Sequence, residues 1–255
     1  MKLTKKEMEF AVKTYEDVRY AKRGLMFKKS KKKRKDPSKI KGVVDFYEFG
    51  NAQAAHVKKG KLNIIMTMGS NELLDWIMDF SISFKKVPYK KPDQKSKVRV
   101  HNGFLKSYMN MRGWVHEIVK GLEDGDKLLI QGHSMGAAMS TLMAIDIDYN
   151  FPGKLKTDVI LTGSPRVGNK HFVESYNKRV GAITTRFVYK SDLVPLVPFK
   201  FLGFKHVVTE THLGKKRIMF SILNHIMRKG YNNVLVAGYA EAKTNKKRDS
   251  NGSKS

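Results

Sequence analysis

Apolar residues recur along this chain in two rhythms, short runs with a period near two and longer stretches with helical spacing. Thr4 and Glu7 form a capping box ahead of Met8, Ala11, Val12, Tyr15 and Val18, which share one helical face. That pattern predicts a helix over 5–22, packed on the body of the domain. Val43 to Tyr47, Ala54 to Val57, Leu62 to Met68 and Val98 to Val100 read as strands, with Lys58-Lys59-Gly60-Lys61 turning the second into the third. Phe104 to Lys120 has helical spacing, and Gly125 turns it into a strand over Lys127 to Gln131. A longer helix runs from Met135 to about Tyr149 and ends at Pro152-Gly153. Strand Asp158 to Thr162, helix Lys170 to Lys178 and strand Thr185 to Tyr189 continue the alternation. Beyond Pro198 the pattern predicts a hairpin over Phe204 to Leu213 and a last helix near Ile218 to Arg228. Strands alternating with helices predict an α/β fold with a mostly parallel central sheet and helices on both faces. The expected organisation is one domain over 1–242, including helix 5–22 and a basic loop at 28–36. A Lys-, Asn-, Ser- and Gly-rich tail over 243–255 is expected to be disordered.

Composition adds bounds to that picture. With 255 residues, 41% of them apolar, there is material for one sizeable core. Lys and Arg number 50 against 23 Asp and Glu, for a formal charge of +27, which predicts attraction to polyanions or anionic lipid. Lys28 to Lys35 concentrates seven basic residues around Ser30, a solvated loop or a binding run for nucleic acid or lipid headgroups. There is no cysteine, which excludes disulfides and thiolate metal sites. Met1-Lys2-Leu3-Thr4-Lys5-Lys6-Glu7 lacks an apolar leader, and no apolar run reaches the ~18 residues of a membrane span. The expectation is a cytoplasmic protein with peripheral contact to membranes.

The candidate chemistry centres on Gly132-His133-Ser134-Met135-Gly136, a Gly-x-Ser-x-Gly elbow. It follows the strand Leu128-Leu129-Ile130-Gln131 and opens a helix that begins Met135-Gly136-Ala137-Ala138. A serine on so sharp a turn is lifted above the sheet, and the helix that starts there favours developing negative charge. Behind such an elbow, the acid and the histidine follow in chain order. Asp192, just past the strand Arg186-Phe187-Val188-Tyr189, fits the acid. His206, His212 and His225 all remain as bases, with spacing favouring His225 modestly. His133 should point away from Ser134, and His101 and His116 read as structural. The oxyanion needs two donors: the N–H of Met135, and a second from Thr67-Met68-Gly69-Ser70, where Ser70 offers both N–H and hydroxyl.

At this point the chain resembles the class 3 lipase family of fungal-lipase-like α/β-hydrolases, over roughly Ile40 to Val236. Ile64 to Ser70 resembles the family's oxyanion strand and loop, and Asp75-Trp76-Ile77-Met78-Asp79 its lid-proximal stretch. His101-Asn102-Gly103-Phe104 is similar to its packing motif. Gly163-Ser164-Pro165-Arg166-Val167-Gly168-Asn169 is the most discriminating match, and Asp192 to Pro198 resembles the acid segment. Met68 stands where the family usually has Arg, and Asn224 where an acidic residue often precedes the histidine. The resemblance implies His225 as base, His206 as structural, an acyl-enzyme mechanism, and no metal or organic cofactor. It implies carboxylic esters as substrates, acylglycerols or phospholipids first. The apolar Asn71 to Ser83 segment reads as a lid, an acyl-chain wall or plain core. A small-ester esterase or acyltransferase on the same scaffold is the rival enzyme. A basic nucleic-acid-binding protein on an inactive scaffold is the rival from another class, disfavoured by the intact Ser134, Asp192 and His225 set.

Overall fold

A computed structural model describes residues 3–23, 36–50, 52–69, 84–85, 97–215, 225 and 231–252. Helix α1 spans Lys5–Arg23, and its capping box closes as the sequence suggests: Thr4 N donates to Glu7 Oε2 at 2.7 Å and Glu7 N to Thr4 Oγ1 at 3.2 Å. Strands β1 (Val43–Phe49), β2 (Ala52–Lys59) and β3 (Leu62–Met68) form an antiparallel meander. The short strands β4 (Phe84–Lys85) and β5 (Val100–His101) pair separately. Helix α2 (Asn102–Lys120) leads to β6 (Lys127–His133), α3 (Met135–Asn150) to β7 (Lys156–Thr162), and α4 (Lys170–Val180) to β8 (Thr184–Tyr189). β9 (Glu210–Leu213) and helix α5 (Tyr231–Gly252) complete the described elements. Among the described residues the main sheet has seven strands in the order β1-β2-β3-β6-β7-β8-β9, parallel from β3 onwards.

Both faces of that sheet are covered, and the strand sequences reflect it. Ile65, Leu128, Ile130 and Val159 face α2, α3 and α4, where Phe104, Tyr108, Leu142 and Phe172 are buried. Their chain neighbours Ile64, Leu129 and Ile160 face the other way, onto Tyr15 of α1 and Leu235 and Tyr239 of α5. Successive strand residues point to opposite faces, so a sheet covered twice needs apolar residues at both parities. This is the α/β-hydrolase arrangement, with helices on two sides of a mostly parallel sheet.

Two expectations fail here. Phe204 to Leu213 is not a hairpin: Lys205 N donates to Gly168 O at 2.8 Å, and only Glu210–Leu213 becomes a strand, parallel to β8. The apolar alternation was real, but its first half pairs with the loop after β7 instead of folding back on its second half. The tail expected to be disordered from 243 instead continues helix α5 to Gly252. Its start is held by packing that composition does not reveal: Tyr239 and Lys243 both bond to buried Asp158, Lys243 Nζ at 2.7 Å from Oδ1. The basic loop at 28–35, the 71–83 segment and the helix near 218–228, apart from His225, lie outside the described residues.

Candidate active site

β6 delivers the chain to Ser134 at the carboxyl edge of the sheet, and α3 leaves from it. Ser134 has φ 61° and ψ −133°, a left-handed conformation costly for a residue with a β-carbon. The turn is tight enough to need Gly136, because a Cβ there would strike the Thr67 carbonyl of the neighbouring β3. Ser134 N donates to Thr162 O at 3.0 Å, which ties the elbow to β7. Helix α3 is buried from Met135 through Ile147, so the elbow rests on the core. At the start of α3, Ala137 N donates to Ser134 O at 2.9 Å, and Met135 is the first residue of the helix.

Asp192 sits in the turn after β8, with 2% of its surface exposed. Its carboxylate collects three kinds of donor. Val194 N donates to Oδ1 at 2.9 Å, the Tyr231 hydroxyl to Oδ2 at 2.5 Å, and His225 Nδ1 faces Oδ1 and Oδ2 at 3.0 and 2.8 Å. A ring whose Nδ1 faces a carboxylate carries its proton there, which leaves Nε2 as an acceptor. Among the described residues neither His225 Nε2 nor Ser134 Oγ, both buried, has a hydrogen-bond partner.

The neighbourhood of His225 is close-packed. The His133 ring stacks on it at 4.3 Å between centroids and 26° between planes, and Tyr231 meets His133 edge-on at 5.4 Å. His133 Nδ1 lies 3.2 Å from Thr162 Oγ1. Burial, reinforced by nearby His225 and Arg19, holds the His133 imidazole well below its ordinary pKa, so it stays neutral. Burial and the adjacent Asp192 charge push the Tyr231 phenol well above its ordinary value, which keeps it a donor. Gly163, at φ 54°, completes the enclosure: a Cβ there would lie 2.7 Å from His225 Cε1 and 2.9 Å from Asp192 Oδ2.

Ser134, Asp192 and His225 are thus gathered at one rim, and Met135 begins the helix beside them. Ser70 lies outside the described residues. Its neighbour Gly69 reaches the serine: a Cβ on Gly69 would stand 2.8 Å from Ser134 Cβ. The strand leading to Gly69 is held by Tyr15, whose hydroxyl donates to Thr67 O at 3.0 Å, and by Thr67 Oγ1, which donates to Gly136 O at 2.7 Å. Of the rival bases, His206 is hydrogen-bonded elsewhere, whereas His212 keeps only an ion-pair contact and neither of its ring nitrogens has a hydrogen-bond partner among the described residues. His206 Nε2 meets Pro195 O at 2.7 Å, and burial lowers its pKa to about 3. His212 Nδ1 lies 3.5 Å from Glu210. His101 caps α2 by accepting from Phe104 N, and His116 Nε2 meets Asp146 at 2.7 Å. Among the described residues no His, Asp and Glu group has the clustering a metal ion would need. Sequence reasoning missed Tyr231, the stacking of His133 and the place of Gly163. Only Gly163 left a signal, as the first residue of the discriminating Gly163 to Asn169 string.

The family model described as Lipase (class 3) matches residues 64–202, more than half of the chain. The chain belongs to the class 3 lipase family. Among its relatives, a lipase of Rhizomucor miehei is 32% identical over 168 residues, 63% of this chain and 44% of that one. A secreted mono- and diacylglycerol lipase of Malassezia globosa is 31% identical over 152 residues, 56% of this chain and 49% of that one. This class 3 lipase chain therefore spans less than half the length of the curated relatives it matches. Solved structures carry the fold further. The triacylglyceride lipase of Rhizomucor miehei superposes with a TM-score of 0.69 at 21% identity, covering 88% of this chain and 95% of that one. A triacylglycerol lipase structure titled for its serine protease triad does so at 0.67 and 22%, with the same coverage.

The relatives also correct the expected compartment. Those of Malassezia globosa and Fusarium solani are named as secreted, which overturns the cytoplasmic expectation. That expectation rested on the polar first residues of the sequence, the lack of a membrane-length apolar run and the lack of cysteine. A fold closed by two-sided core packing does not need disulfides to work outside a cell.

Proposed function

We propose that this chain hydrolyses carboxylic esters of glycerol lipids through an acyl-enzyme on Ser134. One observation carries the reading: a serine in strained backbone at the end of β6, on the sheet edge where a histidine's Nδ1 meets a buried carboxylate, with neither the serine hydroxyl nor the histidine's Nε2 hydrogen-bonded among the described residues. In this mechanism Ser134 Oγ attacks the ester carbon while His225 Nε2 takes its proton. The carbonyl oxygen becomes an oxyanion and accepts from the Met135 and Ser70 N–H groups, with the positive end of α3 behind it. The C–O bond to the alcohol breaks, and His225 returns the proton to that alcohol. Water then attacks the acyl-enzyme with His225 as base, which releases the fatty acid and restores Ser134. Asp192 keeps the ring's orientation and balances its transient charge, and Tyr231 in turn holds Asp192. Nothing in this cycle calls for a cofactor.

The names of relatives, lipase and mono- and diacylglycerol lipase, support acylglycerols as the substrate class and action outside the cell. The excess of basic residues favours substrates presented on an anionic surface. The test is labelling with a fluorophosphonate probe in wild type and Ser134→Ala. Label on wild type alone is expected, and a folded wild-type protein that takes no label sinks the mechanism. Activity on p-nitrophenyl esters should rise from acetate to longer acyl chains. A sharp preference for acetate would instead mark a small-ester esterase.

A further inference from the structure

Phe201, 83% exposed, is the most exposed large apolar side chain among the described residues, and Phe199 is 52% exposed. The two rings stack at 5.5 Å and 9° from parallel, so they present one apolar knob. Lys200 stands between them, at the start of a 3₁₀ turn over Lys200–Leu202. The knob is a built feature. Arg166 Nη1 donates to the carbonyls of Leu196 and Pro198, the latter at 2.8 Å, and Arg166 N donates to Val197 O at 2.8 Å. Leu202 N closes the turn onto Phe199 O at 3.1 Å. Leu196, Arg166, Lys200 and the two phenylalanines line an open concavity of about 640 Å³. Apolar walls between two cationic heads suit acyl chains lying below phosphate groups.

The position of the knob matters as much as its chemistry. The knob leaves from the turn that carries Asp192, after the carboxyl end of β8. Arg166 ties it to the loop after β7. Ser134 lies at the carboxyl end of β6, between parallel neighbours, so the serine and the loop that carries the knob leave the sheet at its same edge.

We propose that the Phe199–Phe201 knob is the point at which this protein enters an anionic lipid surface. The stacked rings go into the acyl boundary, and Lys200 and Arg166 meet lipid phosphates. The chain's +27 charge supplies the longer-range attraction, but the knob sets the depth and orientation of docking. The purpose of docking rests on the hydrolase reading, whereas the docking itself does not.

The experiment therefore uses Ser134→Ala protein, which leaves the lipid intact. It is co-sedimented with vesicles of phosphatidylcholine alone and of equal parts phosphatidylcholine and phosphatidylglycerol. Binding to the mixed vesicles is expected to exceed binding to the neutral ones. Phe199→Ser with Phe201→Ser is expected to weaken it by roughly tenfold or more, and Lys200→Glu by about fivefold or more. The thermal midpoint should hold, since both rings already face solvent. In a second arm, Phe201→Trp is expected to shift emission to the blue on mixed vesicles, beyond any change in the parent. Equal binding by the double Ser variant, equal binding to neutral vesicles, or no Trp shift each overturns the proposal. Missing fluorophosphonate label on Ser134 would sink the hydrolase reading alone and leave this measurement standing.

Discussion

Ser134 is held in its strained backbone by contacts on three sides, and His225 is enclosed more tightly still. At the residue scale this makes small additions costly. Gly163→Ala puts a methyl group where His225 Cε1 and Asp192 Oδ2 already stand, at a φ of 54° that alanine resists. The expected outcome is a fall in kcat of about 10²-fold on a soluble ester, because displacement of a reacting group by about 1 Å costs that much. Circular dichroism should show the fold intact. Tyr231→Phe removes one donor from a buried carboxylate that keeps its bonds to His225 and Val194 N. A fall of about tenfold in kcat with little change in KM is expected from steady-state kinetics, since the hydroxyl touches no substrate. Ser134 and Asp192 were legible in the sequence because elbow and strand-end positions follow from local pattern. Tyr231 was not: six residues past His225, it meets Asp192 only because α5 starts beneath β8.

At the scale of elements, the elbow depends on α3, and α3 is pinned to α2 through one charge. Asp146, fully buried in α3, accepts from Tyr108 at 2.5 Å and from Arg112 Nε at 2.9 Å, both on α2, and from Asn150 at 2.9 Å. His116 Nε2 adds a fourth contact at 2.7 Å. Removing the acid takes away the buried carboxylate to which Arg112 Nε and Nη2 and the Tyr108 hydroxyl all donate. Asp146→Ala is therefore expected to cost about 3–5 kcal/mol, read from urea unfolding, with α2 the first to lose amide protection. The strands and helices of the doubly covered sheet were readable from periodicity. Their partners were less so: the 204–213 run had strand composition, but the loop after β7 took Lys205 and left β9 to pair with β8. Likewise the polar end of α5 looked unstructured until Asp158 supplied Tyr239 and Lys243 with an anchor.

Over the whole molecule, buried neutral histidines set the response to acid. His133 titrates well below its usual value and His206 at about 3, both through burial, while the unfolded chain binds protons near pH 6.5. As pH falls through 6.5 the unfolded state takes up protons that the native state refuses. Stability is thus full above that pH and is lost progressively below it. The slope is about 1.4 kcal/mol per pH unit for each histidine. Urea midpoints at pH 7, 6, 5 and 4 should fall steadily, and His206→Asn should flatten the decline. The large positive charge steepens the same trend, because protonating carboxylates adds to self-repulsion.

Residue pattern alone determined the sheet with helices on both faces, the elbow at Ser134, the place of Asp192 just past a strand end and the formal charge of +27. Each of these is written in neighbours along the chain: periods of two and 3.6, a glycine-spaced serine, a turn after an apolar run. Tertiary structure decided which histidine meets Asp192, why Gly163 and Gly136 carry no side chain, and that Phe199 and Phe201 remain in solvent. Those facts depend on distances between segments far apart in the chain, and such distances exist only once packing has chosen them.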